Sequence, residues 1–514
     1  MVPLLILLSM LTPGAPAVTT SPGLIIVTTD RIVARSAMLE TYITEKEAHG
    51  FHVTLVTESD YGAHDLLGLE RGLAIRAHLA TIAHDYQYAL LLGDPDPDWG
   101  DFPLFTVWPR HTYSDSECGG FALDCRACQT DYLYADLTGN WDLNGNGQYG
   151  ETELDEGSGG IDFDPELYVG RIPVYFDDVR ELDQILQNNI DYMNASPEEA
   201  AYRSKVLLPA SFLYYKGQRM TSYTLYKDVD GAETTEWLVD NILTDATGIS
   251  WYRMYELEGA SPTRYEAEQQ LTQESFIEEW HHGYGIVMWV VHGIDTKVAR
   301  TLWPEDLDLD GAADNDEILS VDLIRSSDAS RIGTTTPGFV IPVSCEVGSA
   351  EVPGNLTYAL LLHNAAIGMI ASTSVTPAGS FNWSDPDFIF PTAVLGGDNL
   401  GVYFIEQLIA GLPAGQAFYE GKVEIGDEGL VESMAGKMMM NYYGDPSLTL
   451  YTNAQDRTEP STPPPAGSDG GCSHSRTPAS FPLWFALLAA LALMLRLRKS
   501  FAVHATNQPP RGAQ

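Results

Sequence analysis

The 514-residue sequence is short of basic residues, of cysteine and of long apolar runs. Only 28 Lys and Arg stand against 71 Asp and Glu, a formal net charge of −43. Nucleic-acid binding needs basic patches, so this balance argues against it and suits a soluble exported protein that binds cations. Five cysteines are far too sparse for a disulfide-held scaffold. No internal repeat is apparent, and no apolar run reaches the ~20 residues of a membrane-spanning helix. What is present is globular: 44% of residues are hydrophobic and 10% aromatic, enough for a large core in one to three domains.

Two short apolar runs each end in a residue able to do chemistry. Ile286 to Val291 is followed by His292-Gly293, and Gly338 to Ser344 by Cys345. Such runs, rich in β-branched residues and bounded by Gly or Pro, predict buried strands of a parallel sheet. Sites in such sheets lie at the carboxyl ends of the strands, which would bring His292 and Cys345 together. The two are 53 residues apart (345 − 292), near the ~50 of caspases. An adjacent imidazole turns a thiol into a nucleophilic thiolate. Gly293 and Cys345 would also present backbone N–H groups to an oxyanion. The plain alternative is a buried structural Cys and a structural His.

Trp289-Val290-Val291-His292-Gly293, Ile341-Pro342-Val343-Ser344-Cys345 and Ile367 to Thr373 together resemble gingipain-type cysteine peptidases. Glu166 to Arg171 and Tyr443 to Leu448 fit the same pattern, and the likeness runs in order over roughly residues 24 to 452. The resemblance implies a caspase-like α/β fold, a three-layer sandwich with mostly parallel sheets in two subdomains. It implies Glu166 as the third catalytic group, orienting the imidazole. It also implies that Asp177, eleven residues on, is an acid selecting Arg or Lys in the substrate. Asp177-Asp178 equally suits a helix N-terminus.

Along the chain, residues 1–17 read as a secretory signal, with the apolar core Leu4 to Leu8 and an Ala15-Pro16-Ala17 cleavage site, although no basic residue precedes it. Strands are expected at Leu24 to Thr29, Val53 to Val56, Tyr88 to Asp94, Leu167 to Ile172, Lys205 to Ala210 and Trp251 to Tyr255. Helices are expected at Arg35 to His49, Leu69 to Ala83, Asp177 to Asn194, Glu233 to Leu243, Tyr265 to Trp280 and Leu400 to Val423. This alternation demands parallel pairing with crossovers. Because strands begin so near the cleavage site, the long propeptide usual in gingipain-type enzymes is expected to be absent. Residues 94 to 164 read as a polar insert. A boundary near 198 divides an N-terminal subdomain, 18–198, from a catalytic one, 199–453. Residues 454–473 read as a flexible linker. The segment 474–514 carries an apolar run, Phe481 to Leu495, before Arg496, Arg498 and Lys499. With Cys472 ahead of it, this order resembles a MYXO-CTERM bacterial sorting tail; the alternative is a plain membrane anchor. Either one implies attachment to a membrane or cell surface, or secretion after processing.

Two stretches match the calcium-loop pattern D-x-[DN]-x-[DN]-G-x5-E. One comprises Asp142, Asn144, Asn146, Gly147, Gln148 and Glu153; the other Asp306, Asp308, Asp310, Gly311 and Glu317. Neither has an amphipathic helix on each side, so calcium-stabilised loops are expected rather than EF-hands. Cys118, Cys125 and Cys128 are expected to hold one disulfide, with the pairing open. The function these features imply is an exported, calcium-stabilised cysteine endopeptidase acting on protein or peptide substrates. An idle surface protein on the same fold, or a hydrolase of non-peptide amides, are the alternatives.

Overall fold

The computed structural model describes residues 21–451, apart from 115–124, 220–223, 226, 334, 350, 376–396 and 425–430. The signal segment, Cys118, Cys472, the linker and the C-terminal apolar run lie outside the described residues.

Eighteen strands occur among the described residues. In the first half they are β1 (Gly23–Val27), β2 (His52–Val56), β3 (Tyr88–Gly93), β4 (Phe105–Val107), β5 (Cys128–Thr130) and β6 (Tyr168–Pro173). Then come β7 (Lys205–Ala210), β8 (Phe212–Tyr214), β9 (Val229–Asp230), β10 (Ser250–Tyr255), β11 (Gln269–Gln270) and β12 (Ile286–Val290). The last are β13 (His292–Ile294), β14 (Lys297–Leu302), β15 (Leu319–Arg325), β16 (Gly338–Val343), β17 (Ala366–Ser372) and β18 (Met440–Gly444). Eleven of them form one sheet in the order β11-β10-β7-β12-β16-β17-β18-β6-β3-β1-β2. It is mostly parallel, as the alternation predicts, and β18 runs antiparallel to β17. β1, β3, β12 and β16 are buried along their whole length, which is why they read as unbroken apolar runs.

Two of the family-like segments meet at the seam where β18 adjoins β6. A side chain at Gly170 would fall 2.4 Å from the Gly444 carbonyl oxygen, so only glycine permits this approach. Beside it Arg171, fully buried, clasps Asp131, its Nε donating to a carboxylate oxygen at 2.7 Å. Asp445 is also buried and accepts from Lys46 Nζ at 2.8 Å and Tyr42 Oη. Burial pushes its pKa up, but Lys46, Ser447 and Tyr42 outweigh that and hold it below the usual range. These segments are structural, since an unpaired charge there would be costly.

Several elements differ from expectation. The helix predicted over Arg35 to His49 is two, Asp30–Arg35 and Leu39–Ala48. The break falls where Ser36 Oγ and the Ala37 and Met38 N–H groups are drawn to Asp183. The helix expected from Tyr265 begins only at Gln273, where Thr272 and Ser275 form a reciprocal cap. The supposedly polar insert contributes to the core: Tyr132, Trp141 and Phe163 are buried and in ring contact, and Tyr132 Oη donates to the Phe163 carbonyl at 2.9 Å. Cys125 is disulfide-bonded, to a partner outside the described residues. Cys128 is buried and outside any disulfide, its thiol pushed up to about 12 by burial. No helix among the described residues is long and apolar enough to cross a membrane.

Candidate active site

Three neighbouring strands, β7, β12 and β16, deliver their carboxyl ends to one place. They are parallel and in register, with Val290 of β12 facing Ala210 on one side and Val343 on the other. The next residues continue the contact: Ser211 N donates to the Val290 carbonyl at 3.1 Å, and Val291 N to the Val343 carbonyl at 3.2 Å. Beyond β7 comes Leu213, beyond β12 His292 and beyond β16 Cys345. The carboxyl ends of the N-terminal half reach the same edge. Tyr175, after β6, accepts from Asn355 Nδ2 at 3.0 Å, ten residues beyond Cys345.

The backbones beyond β12 and β16 come close at Gly293, the residue after His292. A Cβ on Gly293 would lie 2.8 Å from the Cys345 carbonyl oxygen and 2.8 Å from Ser344 Cβ. Ser344 is in turn held by Trp289 Nε1, which donates to its Oγ at 3.2 Å. Cys345 is half-buried and outside any disulfide. The chain turns sharply after it: Glu346 has φ +56°, a conformation rare for a side chain of that type and typical of strained functional turns.

The His292 ring is fixed from the β7 side. Its Nε2 lies 2.7 Å from the Leu213 carbonyl oxygen, and the Tyr214 ring meets it edge-on at 5.3 Å. A carbonyl can only accept, so Nε2 carries the proton and Nδ1 presents a lone pair. Burial depresses the pKa of His292, and the Leu213 hydrogen bond only partly offsets this. The ring is therefore a neutral base at neutral pH.

The structure does not bring Glu166 to this ring. Its carboxylate accepts from Leu137 N at 2.6 Å and from Thr138 Oγ1 at 2.8 Å. It precedes β6, whereas the site lies past the strands' far ends, roughly 20 Å away at ~3.3 Å per residue. Leu213 takes the orienting position instead. No side-chain motif advertises a backbone carbonyl; the only signal was that the β7 run leads straight into it. Asp177 does reach the carboxyl edge, half-exposed, but is engaged by Arg31 at 2.5 Å. Asp178, not Asp177, caps the helix Val179–Asn194 by accepting from Arg180 N. Phe176 and Asp177 are both left-handed, φ +53° and +56°, and the Phe176 side chain is 84% exposed.

The two acidic loops fit a cation unequally. Carboxylate oxygens of Asp306, Asp308 and Glu317 lie within 4.8 Å of one another, a hard oxygen donor set of the kind calcium takes. Asp310 is outside that group and accepts from Ala312 N. In the other loop Asp142 and Asn144 both accept from Asn146 N. Gln148 N donates to Asn146. Yet Glu153 is exposed with φ +69°, and the amides of Asn144 and Asn146 donate to Glu151 instead. A turn joining Glu151 to buried Asp155 rotates Glu153 outward.

The sequence pattern of peptidase family C25 matches residues 17–451. The structure is similar to that of the Arg-specific cysteine proteinase gingipain R, with a TM-score of 0.56 at 14% identity over 86% of this chain and 80% of that one. It is similar also to the complex of the pro- and mature domains of RgpB from Porphyromonas gingivalis, with a TM-score of 0.54 at 14% identity over 84% and 80%. At that identity the likeness establishes the caspase-like fold. No curated protein matches the chain. With the family's pattern spanning the whole described domain, the chain belongs to peptidase family C25 and is a cysteine peptidase.

Proposed function

We propose that the chain is an endopeptidase whose nucleophile is Cys345 and whose general base is His292. The observation that carries this reading is the contact of Gly293 with the Cys345 backbone, which ties the two strand ends together beside an imidazole already in its basic tautomer. Nδ1 takes the Cys345 proton, and the thiolate adds to the peptide carbonyl. The N–H groups of Gly293 and Cys345 are the donors for the oxyanion. The imidazolium returns its proton to the departing amine, leaving a thioester that water hydrolyses. Labelling with a thiol-directed peptidyl probe at neutral pH tests it. Wild type should label and Cys345→Ala should not; equal labelling of the two would overturn the assignment.

The acidic carboxyl edge supports a preference for Arg or Lys at the cleaved bond. Asp177 and Asp101 share Arg31. Burial, with Asp295 and Glu351 adding to it, raises the pKa of Glu346 beside the nucleophile. A substrate cation would relieve these crowded carboxylates. Calcium is proposed at Asp306, Asp308 and Glu317, where it would neutralise gathered charge and stabilise the fold by mass action. A second ion is proposed at Asp142, Asn144 and Asn146. Export, with attachment through the C-terminal segment, rests on the sequence of the two termini; fractionation of the producing cells tests it.

A further inference from the structure

We infer that Trp303 and Glu317 are positioning residues for His292, acting through a small aromatic core separate from the main one. The inference rests on the proposed role of His292 as the base. The carbonyl that fixes the imidazole belongs to Leu213 in β8, a three-residue strand too short to hold its own position. Its support is a satellite core of Phe212, Tyr215, Trp303 and Ala313, all buried. Phe212 and Tyr215 stack at 4.4 Å between ring centres, and Tyr215 meets Trp303 edge-on at 5.9 Å. Phe212 also pairs with Thr301 of β14.

The far end of this core is anchored in the acidic loop. Trp303 Nε1 donates to Glu317 Oε2 at 3.0 Å, while Leu307 N donates to Glu317 Oε1 at 2.6 Å. Glu317 is 6% exposed, and its carboxylate holds the loop and the indole together while keeping lone pairs to face the proposed cation. The loop closes on the chain just after β8 as well: Ala313 N donates to the Lys216 carbonyl at 2.8 Å, and Asn315 Oδ1 accepts from Arg219 N at 2.9 Å. The path from Glu317 to Trp303, Tyr215, Phe212 and the Leu213 carbonyl is therefore one of continuous contact, ending 2.7 Å from His292 Nε2. Displacing the indole moves that oxygen, and the imidazole loses the bond that fixes its tautomer.

The test measures the pH dependence of Cys345 alkylation by iodoacetamide in the full chain, for wild type, Trp303→Phe, Glu317→Gln and the control Arg325→Ala. A full ångström of misplacement costs ~100-fold, so a partial shift of the ring should slow alkylation at neutral pH by about 10-fold in the first two variants. Their inflection should also move toward that of an ordinary thiol, while Arg325→Ala, a solvent-exposed partner of Asp322, follows wild type. Should Trp303→Phe fail to fold, Glu317→Gln gives the same reading, since it keeps the side chain's shape. If both variants keep the wild-type profile, or lose only unfolding temperature, the inference is overturned. If wild type itself titrates like a free thiol, the Cys345–His292 reading fails first.

Discussion

Gly293→Ala probes the contact that the active-site reading depends on. The new Cβ would sit 2.8 Å from the Cys345 carbonyl oxygen, and ordinary contact begins near 3.4 Å, so the two strand ends must part by about 0.6 Å. The obstructing oxygen is backbone, so no side-chain rotation relieves it. A misplacement of one ångström costs ~100-fold, which scales to a loss of roughly 10-fold in kcat/KM for 0.6 Å. Overpacking of this kind costs about 1–3 kcal/mol of stability, well within the reserve of a domain this size. The assay is kcat/KM on a fluorogenic peptide pool, with thermal unfolding measured on the same samples. Wild-type kcat/KM from a folded Gly293→Ala protein would refute the proposal that the close approach of Gly293 to the Cys345 backbone sets the active site.

Cys345→Ala and His292→Ala should fall to comparable floors, because members of a catalytic unit are not additive; titrated hydrolysis rates check this. Glu166→Gln should change kcat/KM by no more than about twofold, since its partners are Leu137 and Thr138 and a weakened hydrogen bond to a carboxylate acts on stability, by about 1.5–3 kcal/mol. Chelation with EDTA should lower the unfolding temperature, Asp308→Ala should remove part of that response, and Glu153→Ala should leave it intact while Asn144→Ala reduces it. An identical melt in EDTA and in millimolar calcium would count against both loops. As the proposed base, half-buried and with its pKa depressed by desolvation, His292 stays neutral as pH falls past its ordinary value of 6.5. The acid limb of kcat/KM should therefore lie below pH 6.5, and a limb above it would mean that the ring is held as imidazolium.

The strands that carry the site were legible because burial on both faces leaves a plain mark in sequence: Ile286 to Val290 and Gly338 to Val343 are apolar throughout. The small antiparallel sheet of β8, β9, β13, β14 and β15 was not, because its strands are mixed in polarity, as Leu319 to Arg325 illustrates. The same contrast separates the site residues. His292 and Cys345 announce themselves, because imidazole and thiol are rare at the ends of apolar strands. The orienting group does not, because a main-chain carbonyl has no residue type, and the family resemblance gave that role to Glu166 by its position ahead of Val169-Gly170-Arg171. The two choices differ chemically. A carboxylate would orient the ring and also stabilise its charged form, raising the pKa of the histidine. The Leu213 carbonyl orients it with only a dipole, and burial wins, leaving the ring neutral. In the proposed mechanism, with no full charge to hold an imidazolium, transfer of the Cys345 proton to His292 would be favoured most when substrate arrives and negative charge begins to move onto the carbonyl oxygen. Orientation of the ring, rather than its charge, is then what the protein must supply, and the supply comes from the sheet whose strands the sequence concealed.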